Sequence, residues 1–192
     1  GSGNTTFTGA VGGTTSLKNV SVTAAALTAA AIKADTGITI TNSAASTISG
    51  IISGNASLTK AGASTLTLSG VNTYSGVTNV NAGTLILANT SGTTIADSNV
   101  MTVASGATLD LRFSETIGSI TDAGTITTGN AGSKTLTVGG LNSDTTFSGV
   151  IQNGSGTLAL TKTGTGSLVL TGSNTYSGAT TIDASNYTVS ST

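Results

Sequence analysis

The chain has 192 residues with 6 basic and 7 acidic side chains, a formal charge of −1, and neither His, Cys nor Pro. Near-neutral charge leaves no electrostatic footprint for nucleic acid or an anionic membrane, and the missing His and Cys remove the common nucleophile–base pairs, disulfides and most transition-metal sites. Hydrophobic residues make up 36% and aromatics 3%, so the interior must be narrow enough for Ala, Val, Ile and Leu to fill, as in a β-solenoid.

In chain order, Phe7-Thr-Gly-Ala-Val11 sets an apolar residue before a Gly-centred strand, and Thr47-Ile-Ser-Gly-Ile-Ile52 and Phe147-Ser-Gly-Val-Ile151 echo it. Between residues 20 and 34 Ala is dense and helix propensity competes with strand. Leu27 and Ile32 build no helical stripe, so strand is favoured there, with a short helix as the alternative. The small-apolar run from Ala24 to Ala34 is far too short to span a bilayer. Period-two alternation then recurs at residues 36–41, 64–69, 83–88, 107–112, 134–138, 155–161 and 167–171, which predicts short half-buried strands. Leu66, Leu85, Leu109, Leu136 and Leu158 follow one another at 19, 24, 27 and 22 residues, close to one turn of a three-sided coil. About eight or nine turns, stacked about 4.8 Å apart, would form a rod on the order of 40 Å long. The inward ladder expected from this pattern is Leu66, Leu68, Leu85, Leu87, Leu109, Leu111, Leu136, Leu158, Leu160, Leu168 and Leu170. No Pro-rich linker or charge run divides the chain, so residues 1–192 are read as one domain.

Two stretches nearly coincide: Leu58-Thr-Lys-Ala-Gly-Ala-Ser-Thr-Leu-Thr-Leu-Ser-Gly-Val-Asn-Thr-Tyr-Ser-Gly76 and Leu160-Thr-Lys-Thr-Gly-Thr-Gly-Ser-Leu-Val-Leu-Thr-Gly-Ser-Asn-Thr-Tyr-Ser-Gly178. They mark paired repeats near 49–88 and 148–184. Units of strand, turn and strand are stable only when neighbours cover them, which spreads function along a surface. Each ends on a turn, Asn72-Thr-Tyr74-Ser-Gly76 or Asn174-Thr-Tyr176-Ser-Gly178. The Asn can bond its own backbone and the Gly tolerates positive φ. Tyr74 and Tyr176 are expected to lie flat over a corner, and Lys60 and Lys162 to keep strand ends soluble.

The segment Leu66-Thr-Leu-Ser-Gly-Val-Asn-Thr-Tyr-Ser-Gly-Val-Thr-Asn-Val-Asn-Ala-Gly-Thr-Leu85 resembles the autotransporter-associated β-strand repeat of Gram-negative autotransporter passenger domains. Leu168 to Ala184 is similar to it as well, until Ser185-Asn-Tyr187 replaces the family's Gly-Thr-Leu. Close motif matches cover roughly a quarter of the chain. The resemblance implies a right-handed parallel β-helix of roughly triangular section. It also implies secretion to the exterior of the bacterial outer membrane and a passenger that holds adhesive features away from the cell. It transfers no catalytic residue. Zero Cys agrees with passage through an outer membrane unfolded. Gly1-Ser-Gly-Asn-Thr-Thr6 does not resemble a signal peptide, so an export signal is expected to have been removed or to lie elsewhere. No C-terminal run of amphipathic strands is seen, so no direct membrane insertion by this segment is expected.

Catalytic constellations are hard to assemble. Asp35, Asp97, Asp110, Glu115, Asp122, Asp144 and Asp183 are scattered and read as solvated turn acids, against the alternative of a sugar-cleaving acid pair. Asp110 and Arg112 share one face of a strand, where a surface ion pair is expected. Gly139-Gly-Leu-Asn-Ser-Asp144 is a single degenerate version of a calcium-binding repeat, too weak for a metal site. Thr39/Thr41, Thr65/Thr67, Thr125/Thr127 and Thr135/Thr137 raise ice binding, but the pairs fall irregularly along the chain. The reading is therefore a non-catalytic structural or adhesive segment needing no cofactor or metal. Its expected partners are adjoining solenoid turns or copies of itself, and a host-surface protein or glycan. The alternatives are a filament subunit stacking end to end and a polysaccharide-binding or polysaccharide-cleaving β-helix.

Overall fold

The computed structural model describes residues 3–183, and every regular element among them is a β-strand. Alternating apolar and hydroxyl residues make half-buried strands rather than helices, because Thr, Val and Ile are β-branched and pack well on a pleated surface. The strands are short, and each ends where a Gly, Asn or Ser corner turns the chain onto the next face.

The chain coils through three faces, here called first, second and third. Strands β1 (Thr5–Val11) and β2 (Leu17–Ala24) form the opening turn, and β3 (Leu27–Asn42) bends through all three faces to make the next. Strands β4 (Ser46–Ile48), β5 (Ile52–Ser53) and β6 (Ser57–Lys60) take one face each. The following two turns are β7 (Thr65–Leu68) with β8 (Thr78–Val80), and β9 (Thr84–Leu87) with β10 (Val100–Val103). Their second face is carried by corner residues 72–74 and 94–95, with Asn72 N donating to the Thr94 carbonyl at 3.1 Å. Three strands per turn return with β11 (Thr108–Leu111), β12 (Glu115–Ile117) and β13 (Ser119–Thr121), then β14 (Thr125–Thr127), β15 (Ser133–Val138) and β16 (Thr145–Phe147). Strands β17 (Val150–Ile151), β18 (Thr157–Lys162) and β19 (Leu168–Leu170) repeat the pattern, and β20 (Thr180–Ile182) adds a last second-face strand. Every strand pair is parallel, and the stack amounts to about nine turns. The third face continues from β13 to β16 through the parallel bridge of Asp122 with Phe147.

One continuous core runs along the axis. Leu66, Leu85, Leu109, Ile126 and Ile151 are register partners in a first-face column, and each of them is buried. The partners lie 19, 24, 17 and 25 residues apart, so turn length varies while strand register does not. Surplus residues are absorbed at corners, most visibly in residues 88–99.

Register also corrects one sequence expectation. Leu136 and Leu158 do not continue the Leu66 column. Both lie on the second face, where Leu136 pairs with Leu160 and Leu158 with Lys134. Near-constant spacing in sequence cannot fix a column when three faces are lined by the same residue types. Residues 20–24 and 27–34 are strand, joined by a bend at 25–26, with Val20, Val22, Ala24, Leu27, Ala29, Ile32 and Ala34 all buried. Small Ala side chains fill the wall there without widening it.

Because truncating a ladder residue leaves a cavity that stacked turns cannot close, Leu85→Ala should lose about 3 kcal/mol in equilibrium urea denaturation. Leu170, which is only half-buried, should lose about 1 kcal/mol on the same substitution.

Candidate functional site

The paired repeats build the same polar cluster twice. In the earlier copy, Lys60 is buried with its Nζ donating to the carbonyls of Gly62 and Ala82, the latter at 3.1 Å. Asn72 bridges turns: Ile52 N donates to its Oδ1 at 2.7 Å, while its Nδ2 donates to Thr94 O at 2.7 Å and to Gly70 O at 3.1 Å. Tyr74 is fully buried, its hydroxyl 2.6 Å from Thr78 Oγ1. In the later copy Lys162 Nζ reaches Gly164 O at 3.1 Å, Asn174 Oδ1 accepts from Ile151 N at 2.9 Å, and the Tyr176 hydroxyl lies 2.7 Å from Thr180 Oγ1. The Lys-to-Gly and Tyr-to-Thr offsets, 2 and 4 residues, are identical in both clusters, while the Asn reaches back 20 residues in the earlier and 23 in the later.

The two copies do not occupy the same faces. Lys60 ends the third-face strand β6 and Lys162 ends the second-face strand β18. Leu66 and Leu68 then line the first face, whereas Leu168 and Leu170 lie on the third. The later repeat is thus the same unit set back by one face. A strand–corner–strand unit can do this because all three walls present the same inward alternation.

Several sequence expectations change. Lys60 and Lys162 are not solvated strand ends but buried cations capped by corner carbonyls. Their position two residues after an inward Leu already puts them on the inward side. Tyr74 does not lie flat over a corner; it enters the core, where burial pushes its phenol far above the ordinary range. Tyr176 is half-buried and packs against the core. Gly76 and Gly178 are absent from the positive-φ glycines, and what each requires is close approach. A Cβ at either would collide with the preceding turn, at the carbonyls of Ala56 and Leu158 respectively. The Ser185-Asn-Tyr187 departure lies outside the described residues.

Two carboxylates are also not solvated. Glu115 is buried, and its two oxygens accept Thr94 N and Ile95 N, each at 3.0 Å. It thereby ties the base of the 88–99 corner to the next turn where no strand ladder does so. Burial pushes its carboxyl up to about 7, offset by those donors and reinforced by the nearby charge of Asp97. Its signal in sequence was parity, two residues before inward Ile117. Asp110 is buried although it points outward between Leu109 and Leu111, because the corner at 128–132 folds over it. Arg112 binds its Oδ2 through Nε at 3.0 Å and Nη2 at 2.9 Å, and Gly129 N binds its Oδ1 at 2.6 Å.

In the Gly139–Asp144 corner, Asn142 Oδ1 accepts Thr165 N at 2.9 Å and Asp144 Oδ1 accepts Ser167 N at 2.7 Å. These side chains latch the next turn, and the Ser167 bonds hold the Asp144 carboxyl below its usual range. Among the described residues no three Asp or Glu side chains gather into a metal-binding group. Two hollows are open grooves, one lined by Thr23, Asn42 and Gly62 and the other by Val11, Ile32, Lys33 and Ile51. Neither joins two ionisable side chains.

Outward threonines, irregular in sequence, are regular in space. Thr6, Thr28, Thr47 and Thr67 form one first-face column, and Thr65, Thr84, Thr108 and Thr125 another. Thr116, Thr137, Thr161 and Thr181 stack on the second face. Variable turn lengths scattered in sequence what strand register realigned.

A stacked parallel coil with repeated corner clusters defines a β-solenoid. The family model described as passenger-associated-transport-repeat matches residues 58–87 and 160–184, the spans that hold the two Lys–Asn–Tyr clusters. The chain thus carries two copies of this repeat, which are similar to the repeats of autotransporter passengers. No curated protein and no solved structure matches it.

Asn72→Ala should cost about 2 kcal/mol, since Ile52 N would be left buried without its acceptor and Thr94 O would keep only the backbone donor of residue 72, and Asn174→Ala should cost less; chemical denaturation of both variants checks this. Glu115 and Lys60 also set a pH profile. Between about 4.5 and 7 the folded chain keeps the Glu115 proton that the unfolded chain has released, so stability falls by about 3 kcal/mol as pH rises. Burial lowers the Lys60 amine to about 8, so stability rises again between about 8 and 10.5, where only the unfolded chain holds that proton. Denaturation midpoints measured across this range should be lowest near pH 7–8, and Glu115→Gln should flatten the acidic limb.

Proposed function

We propose that this segment is a non-catalytic, stiff, adhesive spacer of a secreted bacterial passenger, displayed outside the outer membrane. The observation that carries the reading is the repeat cluster itself. Its polar groups are spent on fastening one turn to the next, through Asn72, Asn174 and Lys60, and on bonding local corner carbonyls, through Lys162, rather than aimed at a ligand. Stiffness follows from parallel ladders along three faces, each bond contributing about 0.5–1.5 kcal/mol. Recognition then belongs to exposed faces and corners, with a host-surface protein or neutral glycan as partner and adjoining solenoid turns at the ends.

Intact bacteria producing the parent polypeptide should lose this segment to added protease, and beads coated with the purified chain should be retained on host-cell surfaces. Protection from protease would overturn surface display, and no retention would overturn adhesion. Incubation with a glycan panel should yield no new reducing ends; their appearance would overturn the non-catalytic assignment.

A further inference from the structure

We propose that the third face of the solenoid binds ice. Strand register places Ser21, Thr39, Thr59, Asn79, Thr102 and Thr121 in one outward column over six successive turns. Thr23 and Thr41 stand beside the first two as a second rank, in mutual register. At the equivalent later positions stand Ala61, Asn81 and Ala104, none of them charged.

The chemistry of this face narrows its ligand. No side chain in the column is ionisable, so polyanions gain nothing there, and no aromatic ring offers a stacking platform for a sugar. What it presents is a column made mostly of hydroxyl and methyl groups, repeated about every 4.8 Å between turns, with a second rank about 6.6 Å away along the strand on the first two turns. The β-branch of Thr restricts χ1, so these groups keep fixed positions from turn to turn. Thr102 Oγ1 donates to Asn79 Oδ1 at 2.8 Å, which fixes two neighbours in the column. The hydroxyls of Thr39, Thr59 and Thr121 have no partner among the described residues and are open to water. Water held on such a grid is already ordered in two dimensions, which lowers the entropic cost of joining a crystalline water surface. The other faces are less suited. Ile86 and the Asp110–Arg112 pair interrupt the first-face array, and the second-face column starts only at Thr116.

Ice growth in the presence of the purified chain tests this, scored for crystal shaping and for thermal hysteresis. Faceted crystals and a measurable hysteresis gap are expected. Thr39→Lys and Thr59→Lys, which place a charge on the array, should abolish both, while Thr137→Lys on the second face should leave them unchanged. All three variants should keep the β-strand circular dichroism spectrum of the parent; if both third-face variants lose it, Thr59→Val, which removes only the hydroxyl lattice point, replaces them and should narrow the gap. Unshaped discs with no hysteresis would overturn the proposal, as would equal loss in Thr137→Lys. Side-by-side clustering of rods that Thr59→Lys dissolves, without ice shaping, would overturn it in favour of pairing between copies. The measurement is independent of surface display, so failure here leaves the passenger assignment standing.

Discussion

Parallel backbone hydrogen bonding between successive turns is the constraint on which everything else in this protein depends. A parallel ladder satisfies each strand only if the chain returns to the same face one turn later. That return fixes which residues stack, and stacking in turn produces both the inner leucine column and the outer threonine columns. With an interior one or two side chains wide, no thick core compensates for a slipped turn. A one-residue slip would carry every inward Leu to solvent.

Polar side chains at the corners hold that register where the ladder is interrupted. Asn72 bonds the turns on either side of its own, and Glu115 replaces a missing second-face strand with a carboxylate that takes two backbone donors. Lys60 and Lys162 neutralise corner carbonyls that point inward. Burying such groups is unfavourable unless they are fully bonded, and here the bonds lead to specific residues of the neighbouring turns. The result is a stack whose order is specified by a few buried polar contacts and whose cohesion comes from the apolar column.

The displacement of the later repeat by one face connects this architecture to function. If the repeat unit were tied to a given face, an array of repeats would present one constant binding edge. Because the unit fits any face, its constant features serve the interior, and the exterior is free to differ from turn to turn. The third face exploits that freedom with a level, uncharged surface, while corners such as 88–99 project beyond it.

The sequence by itself determined the strand-only fold, the inward direction of Leu66, Leu85 and Leu109, and the repeat family, because alternation parity and Gly–Asn punctuation are local properties. Parity also carried the burial of Lys60 and Glu115, although the residues' charge argued the other way. Column membership was decided only by tertiary structure: Leu136 and Leu158 left the Leu66 column, and scattered threonines came into line. The reason is that corners absorb a variable number of residues, so distance along the chain ceases to measure distance along the stack, and only the closing of each turn's hydrogen bonds sets which residues meet.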